Sequence, residues 1–264
     1  MAGKVIVITS GKGGVGKTTA TANIGTALAE MGKRVCLIDA DIGLRNLDVV
    51  MGLENRIVYD IVDVVEDNCR LEQALIRDKR NDNLFLLPAA QTRDKTAVTP
   101  FQMKELTDTL KEEMDYVLVD SPAGIEQGFK NAISGADEAI ILTTPEVSAV
   151  RDADRIIGLL ESEGIKNPEV IINRIRIDMV ERGDMMNIED MIEILAINLL
   201  GVVPDDESIV VSTNRGEPIV LSEGVKAGTA FINIARRISG EELPLMDLKQ
   251  DNIIAKIKKM IGLS

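Results

Sequence analysis

Short runs of apolar residues alternate with stretches of helical periodicity along most of the chain. Each run is apolar at nearly every position rather than at every second one, which is typical of strands that are covered on both faces. The helical stretches place apolar residues three or four positions apart, as at 71–76, 103–110 and 188–195. The pattern predicts strands at 4–9, 34–39, 84–87, 116–120, 139–143, 169–173 and 201–203.

This alternation of strand and helix predicts an α/β fold with a doubly wound, mostly parallel sheet and helices on both faces. A chain of 264 residues suits one large domain of this kind. We expect that domain over residues 1–240, a linker at 241–250 and a separate C-terminal helix at 251–264. In such sheets ligands bind at the carboxyl ends of the strands, so the polar residues there are the candidates for chemistry.

A glycine-rich loop joins the first predicted strand to the first predicted helix. Gly11, Gly16, Lys17 and Thr18 match the phosphate-binding pattern G-x-x-x-x-G-K-[ST]. The glycines let backbone N–H groups turn toward a polyphosphate, and the helix N-terminus adds its dipole. In such loops the lysine reaches the β- and γ-phosphates and the threonine hydroxyl binds Mg²⁺. An ordinary glycine-rich turn is the alternative, but the flanking strand and helix favour a nucleotide site formed by Gly11, Lys12, Gly13, Gly14, Val15, Gly16, Lys17, Thr18 and Thr19.

Aspartates end two of the predicted strands. Asp120 follows four apolar residues, the position at which P-loop proteins hold Mg²⁺ through a carboxylate. Asp39 and Asp41 end the second strand, and a carboxylate near the γ-phosphate can orient an attacking water or accept its proton. Helix capping is the alternative for this pair. We therefore predict a Mg²⁺ site of Thr18, Asp39 and Asp120, with Asp39 acting through the water shell, and slow hydrolysis by water.

Composition narrows the function further. The net charge of −13 argues against a surface that coats nucleic acid, so we expect no nucleic-acid partner. The absence of histidine excludes histidine-based catalysis and histidine metal ligands. Cys36 and Cys69 lack C-x-x-C spacing, which gives no sign of zinc or of a cysteine-held iron–sulfur cluster. With no signal peptide and no run of about 18 apolar residues, we expect a cytoplasmic protein.

The segment from Lys249 to the end differs from the body. Apolar residues at i, i+1, i+4, i+7 and i+8 from Ile253 form one helical stripe. Four lysines and one aspartate give the segment a charge of +3, whereas the rest of the chain carries −16. A basic amphipathic helix on an acidic body favours an anionic membrane surface. A final helix packed on its own body, or a frayed tail, is the alternative.

Lys12 adds an unusual feature to the phosphate loop, which reads Lys-Gly-Gly-Val-Gly-Lys-Thr from this residue. The sequence resembles the deviant Walker A motif of an ATPase family that includes the MinD and ParA proteins and the nitrogenase iron protein. The resemblance implies that Lys12 reaches across a dimer interface to the nucleotide of a partner subunit. It also implies that Asp41 aligns the hydrolytic water, so Lys12, Lys17 and Asp41 are the predicted catalytic residues. A solvated surface lysine is the alternative for Lys12.

The end of the sixth predicted strand bears on the choice of base. Common P-loop GTPases select guanine with Asn-Lys-x-Asp, whereas this chain has Asn173-Arg174-Ile175-Arg176 without that aspartate. The family resemblance implies that Asn173 contacts adenine, that Arg174 flanks the base and that the segment after Pro204 closes over it. We therefore expect ATP as the nucleotide. Strand-end capping is the alternative for Asn173.

Further segments resemble the septum-site-determining branch of this family, and together they extend over nearly the whole chain. This resemblance implies an ATP-dependent homodimer that binds reversibly to the inner face of the cell membrane. It also implies recruitment of a MinC-like division inhibitor and release by a MinE-like or other topological regulator. The matching segments are 41–48, 87–95, 120–126, 145–155, 182–185 and 214–218.

Three other classes of function remain open from the sequence. A ParA-like DNA-partition ATPase needs clustered Lys and Arg, which the acidic body does not favour. A metal-cluster carrier of the iron-protein type needs well-placed cysteines, and Cys36 and Cys69 are poorly placed for a shared cluster. A metabolic kinase would transfer phosphate to a small acceptor rather than to water. ATP-dependent nucleoid binding that survives loss of the tail would favour the first class.

Overall fold

The computed structural model describes residues 3–246 and 248, and this part of the chain contains one eight-stranded sheet. The strands are β1 Lys4–Thr9, β2 Val35–Asp39, β3 Ile76–Arg77, β4 Leu84–Leu87, β5 Tyr116–Asp120, β6 Glu138–Thr143, β7 Glu169–Ile175 and β8 Asn198–Pro204. Their spatial order is β3-β4-β2-β5-β1-β6-β7-β8. All neighbouring pairs are parallel except β3 with β4. The predicted doubly wound α/β class is confirmed.

The helices lie on both faces of this sheet. They are α1 Lys17–Glu30, α2 Leu47–Met51, α3 Ile61–Val65, α4 Leu71–Ala74, α5 Pro100–Glu113, α6 Gln127–Ile133, α7 Val147–Ser162, α8 Ile177–Glu181, α9 Ile188–Leu195, α10 Ser208–Asn214 and α11 Lys226–Ile238. One apolar cluster contains residues of α1, α2 and α11. The other contains residues of α3, α5, α6, α7 and α9. None of the helices in the described part is both long and apolar enough to cross a bilayer.

The core explains why the strands are continuously apolar. Successive residues of a strand point to opposite faces, so each face of β1 buries its own side chains. Val5 and Val7 pack in the cluster of α5 to α7, and Ile6 and Ile8 pack in the cluster of α1 and α11. All four are at most 1% exposed. Both faces of the sheet are therefore covered, as parallel sheets require.

One predicted helix is wrong at its C-terminal end. The periodicity at 71–76 holds only as far as Ala74, where α4 ends, and Leu75 is already extended. The next two residues form β3, in which Ile76 pairs with Leu86 in an antiparallel register. A side-chain pattern over so short a stretch could not reveal this pairing, because the backbone groups of β4 that satisfy β3 lie about ten residues later.

The last helix of the described part precedes the predicted linker at 241–250, and the division of the chain at residue 241 stays a prediction. Helix α11 ends at Ile238, and in the predicted linker Met246 and Leu248 pack against the two apolar clusters. The predicted C-terminal helix at 251–264 falls outside the described residues.

Candidate nucleotide-binding site

The phosphate loop lies at the carboxyl end of β1, directly before α1 begins at Lys17. Gly14 and Gly16 have φ angles of 77° and 100°, a region in which glycine alone is unstrained. Within the described residues no side chain caps α1, and its first turn holds no acidic residue. The first N–H groups of the helix and its positive dipole end are therefore available to an anion.

Lys17 lies beneath this loop and is only 8% exposed. Its Nζ donates a hydrogen bond to Ser10 Oγ at 3.0 Å, and that hydroxyl donates to the carbonyl oxygen of Lys12 at 2.8 Å. Burial lowers the pKa of Lys17, although the carboxylates of Asp120 and Asp41 favour its charged form. A buried ammonium group beside free N–H groups fits the β- and γ-phosphates of a nucleotide.

Asp120 occupies the end of β5 and is 2% exposed. Burial, and then the charge of Asp39 in the neighbouring strand, raises the pKa of Asp120 to about 8. A hydrogen bond from the Thr18 hydroxyl and the charge of Lys17 act in the opposite direction. Ionised Asp120 therefore needs a further cation beside it, and Mg²⁺ fits this requirement.

The donor set limits how Mg²⁺ could be held. No group of three or more acidic, cysteine or histidine side chains in the described part of the chain could bind a metal by itself. A bound Mg²⁺ would therefore take most of its ligands from phosphate oxygens and water, with Thr18 and Asp120 completing the shell.

Asp39 has a structural task as well as its predicted metal role. Its two carboxylate oxygens accept hydrogen bonds from the backbone N–H groups of Asp41, Asn46 and Leu47 at 3.0–3.1 Å. These bonds fasten the loop after β2 and satisfy N–H groups at the start of α2, which supports the capping alternative for this residue. Burial nevertheless raises the pKa of Asp39 to about 6. Contact with Mg²⁺ through bound water would leave all three bonds intact, so this role stays a prediction.

Asp41 carries an acceptor atom that has no partner. Its Oδ1 is buried and accepts no hydrogen bond from the described residues. Burial raises the pKa of Asp41, while Lys95 and Lys17 lower it. Leaving a buried acceptor unpaired costs roughly 1–3 kcal/mol, and an arriving donor would relieve this cost. A water molecule beside the γ-phosphate is such a donor, so the geometry suits the predicted role.

Lys12 points toward α7 rather than into its own loop. Its Nζ lies 2.6 Å from Glu146 Oε2 and 3.3 Å from Ser148 Oγ. The side chains of Lys12 and Glu146 are 42% and 58% exposed. An ion pair as exposed as this contributes at most about 1 kcal/mol. Lys12 can therefore leave Glu146 at little cost when a phosphate is offered.

Asn173 connects the base side of the site to the phosphate loop. Its Nδ2 donates to the carbonyl oxygen of Val15 at 2.8 Å, and its Oδ1 accepts from the N–H of Arg174, which has a φ of 59°. The second N–H of this amide could still serve a base. Pro204 ends the adjacent strand opposite Ile175. The structure thus brings the three residues predicted for base binding to neighbouring strand ends.

Three contacts of the site were not predicted from the sequence. Ser10 Oγ accepts a hydrogen bond from the Lys17 ammonium group, and Thr21 Oγ1 lies 3.5 Å from Asp120 Oδ1. Thr21 follows Lys17 by one helical turn, a spacing that could have indicated this contact. Asp152 of α7 packs so closely on Gly11 that a Cβ at Gly11 would lie 2.5 Å from its carbonyl oxygen. No local pattern announces that contact, because the two residues are far apart in the chain.

Replacing Gly16 with alanine is expected to weaken ATP binding by at least about tenfold. The new Cβ would be strained at φ 100°, at a cost of roughly 1–3 kcal/mol, and would lie 2.5 Å from Asn173 Nδ2. Gly32→Ala is the matched control, since Gly32 has a φ of 80° but no heavy atom within 4 Å of the added Cβ. Titration with a fluorescent ATP analogue measures the effect, and equal affinities in the two variants would contradict it.

A parallel sheet with a glycine loop after its central strand, a buried lysine at the helix start and two strand-end aspartates defines a P-loop nucleotide-binding protein. The sequence model of the CobQ/CobB/MinD/ParA nucleotide binding domain matches residues 6–219. The chain belongs to this family, which confirms the resemblance that Lys12 and its loop indicated.

Within this family, the individual proteins that are similar to this chain include septum site-determining proteins. The septum site-determining protein MinD of Bacillus subtilis is 61% identical over 264 residues, covering 98% of each chain. The solved MinC:MinD cell division protein complex of Aquifex aeolicus has a chain with 55% identity and a TM-score of 0.85, covering 92% of this chain and 98% of that one. MinD of Pyrococcus horikoshii, solved with Mg-ADP, is 31% identical with a TM-score of 0.82, covering 90% of this chain and 96% of that one.

Proposed function

We propose that this chain is an ATP-hydrolysing switch that selects the site of cell division. In this proposal ATP joins two copies, the pair binds the membrane, and the bound pair recruits a division inhibitor. The observation that carries the proposal is Lys12, a second lysine in an otherwise complete phosphate loop that points away from its own site. The 61% identity with the septum site-determining protein MinD of Bacillus subtilis supports the cellular role.

In the proposed dimer, ATP hydrolysis at one site uses residues of that subunit together with Lys12 of the partner subunit. Lys17 and the loop N–H groups hold the β- and γ-phosphates, and Thr18 and Asp120 would hold Mg²⁺, which would supply neutralisation of the phosphate charge. Asp41 accepts a hydrogen bond from the attacking water and takes its proton as the water oxygen bonds to the γ-phosphorus. The bond from the γ-phosphorus to the β–γ bridging oxygen breaks, and ADP and phosphate leave. The partner subunit's Lys12 adds positive charge where negative charge develops, so turnover is slow in the monomer.

Base recognition uses the ends of β7 and β8. Asn173 presents an amide next to the loop, and Arg174 and Pro204 lie near the adjacent ends of β7 and β8. The absence of an aspartate after Asn173 favours adenine over guanine. ATP with Mg²⁺ agrees with the Mg-ADP found in the Pyrococcus horikoshii protein.

We assign membrane binding to residues 251–264. The weak affinity of a single tail for the membrane explains how ATP can switch this binding on and off. Each lysine near an anionic leaflet contributes about 1 kcal/mol, and the short apolar stripe lacks Trp and Phe. One tail therefore binds only marginally. Two tails on a dimer make the second insertion intramolecular, which raises avidity by about 10² or more. ATP thus controls membrane residence by controlling dimerisation.

The division inhibitor is expected to resemble MinC, because a MinC:MinD complex has been solved for a protein 55% identical to this chain. The exposed start of α7, with Val147 56% exposed, and the neighbouring Asp152 are candidates for that surface. A MinE-like or other topological regulator would stimulate hydrolysis and release the pair from the inner face of the cell membrane.

Deleting residues 251–264 is expected to abolish ATP-dependent binding to phosphatidylglycerol-containing vesicles while leaving nucleotide binding intact. The reason is that the deletion removes the basic amphipathic stripe and leaves the loop and its strands untouched. Co-sedimentation with ATP, with ADP and without nucleotide measures this, with the full chain as control. Unchanged vesicle binding by the shortened chain would overturn the membrane part of the proposal, and ATP-dependent DNA binding would favour a partition ATPase instead.

A further inference from the structure

A short segment after α11 lies along an edge of the sheet. Residues 241–246 and 248, here called the strap, follow α11 and pass β8, which is one of the two edge strands of the described sheet. Met246 packs against the apolar cluster of α1 and α11, whereas Leu248 packs against the cluster on the opposite face. The strap therefore crosses from one face of the sheet to the other and covers part of an edge that would otherwise invite unwanted pairing.

Arg237 holds the strap to β8 with a single guanidinium group. Its Nη1 donates to the carbonyl oxygen of Leu200 in β8 at 3.0 Å. Its Nε donates to the carbonyl oxygen of Leu243 at 3.1 Å, and its Nη2 donates to that of Pro244 at 2.6 Å. Only arginine presents several donors in one rigid fork, so a lysine could not bond the strand and both strap carbonyls together.

The strap ends at the nucleotide end of the sheet. Leu248 lines a cavity of about 200 Å³ together with residues 175–178 and 204–206. These residues end β7 and β8 or follow them directly, so they lie at the carboxyl end of the sheet, as the phosphate loop does. Leu248, the last described residue, therefore lies at the end of the sheet that carries the proposed nucleotide site.

We infer that Arg237 is a positioning residue for membrane attachment, because it fixes how much chain separates the body from the tail. This inference rests on the proposed function of residues 251–264. With the strap held, four residues lie between Leu248 and the apolar stripe that begins at Ile253; with the strap released from Glu242 onward, eleven residues do. Since effective concentration falls roughly as the −3/2 power of linker length, release weakens the second insertion about fivefold.

Arg237→Lys is the central variant, because it keeps the charge and removes the fork. We expect it to weaken ATP-dependent binding to phosphatidylglycerol-containing vesicles about fivefold, with ATP affinity and ATP-dependent dimer mass unchanged. Thermolysin should also cleave it faster near Leu245, which is 47% exposed in the held strap. Arg236→Lys is the matched control on the same helix, since among the described residues the Arg236 side chain bonds only the carboxylate of Glu241, the first strap residue, which precedes the segment released from Glu242 onward.

A second variant tests linker length without touching Arg237. Inserting eight glycine and serine residues after Gln250 lengthens the segment between Leu248 and Ile253 from four residues to twelve, so it should also weaken vesicle binding about fivefold. Combining the insertion with Arg237→Lys should add only about a further twofold, because both changes act on the same length. A merely structural role for Arg237 would not produce this pattern.

The outcomes distinguish failure of the inference about Arg237 and the strap from failure of the proposed membrane function on which it rests. Fivefold losses in both variants, a small additional loss in the combination and no change in Arg236→Lys support the inference. Tail-dependent vesicle binding that is unaffected by Arg237→Lys, or by the insertion, overturns it while leaving the proposed function in place. If the chain lacking residues 251–264 binds vesicles like the full chain, the proposed function itself fails.

Discussion

Replacing Asp120 with asparagine is expected to stabilise the nucleotide-free protein and to reduce ATP hydrolysis by at least about 10²-fold. Burial and the neighbouring Asp39 raise the pKa of Asp120 to about 8, so at neutral pH the folded protein retains a proton that the unfolded chain has lost. Stability therefore falls as the pH rises from about 4 toward 8, because the carboxyl ionises freely in the unfolded chain while the folded protein keeps it protonated. Asparagine cannot ionise, so the gain should be about 2 kcal/mol larger at pH 8 than at pH 6.

Thermal unfolding at pH 6, 7 and 8 without nucleotide measures this effect, and a phosphate-release assay measures the loss of hydrolysis. Asp82→Asn is the charge-matched control, because the Asp82 side chain is 85% exposed. The control should change neither the dependence of stability on pH nor turnover. An Asp120→Asn protein that is less stable than the parent at pH 8 would show that the carboxylate is well paired without a cation. The choice of Asp120 as a Mg²⁺ ligand would then be wrong.

Replacing Lys12 with glutamine is expected to prevent ATP-dependent dimerisation while leaving ATP binding to the monomer nearly unchanged. Lys17, Thr18 and the loop N–H groups remain in place, and among the described residues the Lys12 side chain bonds only Glu146 and Ser148 at the surface. Hydrolysis at high protein concentration should fall by about 10³-fold, the lower end of what a charge supplied in trans contributes to phosphoryl transfer. Binding to vesicles should be lost with the dimer.

Glu146→Gln is the control that separates two roles for Lys12. If Lys12 served only to hold α7, removing its partner would reproduce the loss seen in Lys12→Gln. If Lys12 acts on the partner subunit's nucleotide, Glu146→Gln should dimerise with ATP as well as the parent does, because an exposed pair contributes little. Light scattering and turnover as a function of protein concentration distinguish these results, and loss of dimerisation in both variants would favour the first role.

The sequence was sufficient where local pattern and chemistry agreed. The run before Ser10 could only be a doubly buried strand, and Gly11, Gly16, Lys17 and Thr18 matched one phosphate-loop spacing. Strand order followed less directly. Parallel topology predicted that Asp39 and Asp120, which end the second and fourth predicted strands, lie at the same end of the sheet. It could not predict that these two residues pair directly in register.

What the sequence could not provide depends on residues distant in the chain. The pair of Lys12 with Glu146 and the packing of Asp152 on Gly11 join segments more than 130 residues apart. The short strand β3 forms because β4 offers it free backbone groups, which no helical periodicity reveals. The sequence predicted a linker at 241–250 from the breaker that ends at Pro244, whereas the bonds from Arg237 of α11 to this segment could not be predicted.

The central claim is that a triphosphate joins two copies of this chain. Multi-angle light scattering after gel filtration tests it most directly, with Mg²⁺ and either a non-hydrolysable ATP analogue, ADP or no nucleotide. We predict that the mass doubles from 28.7 kDa only with the ATP analogue, and that Lys12→Gln stays at the monomer mass under all three conditions. A parent protein that remains at the monomer mass with every nucleotide, or that pairs equally well with ADP, would contradict the account.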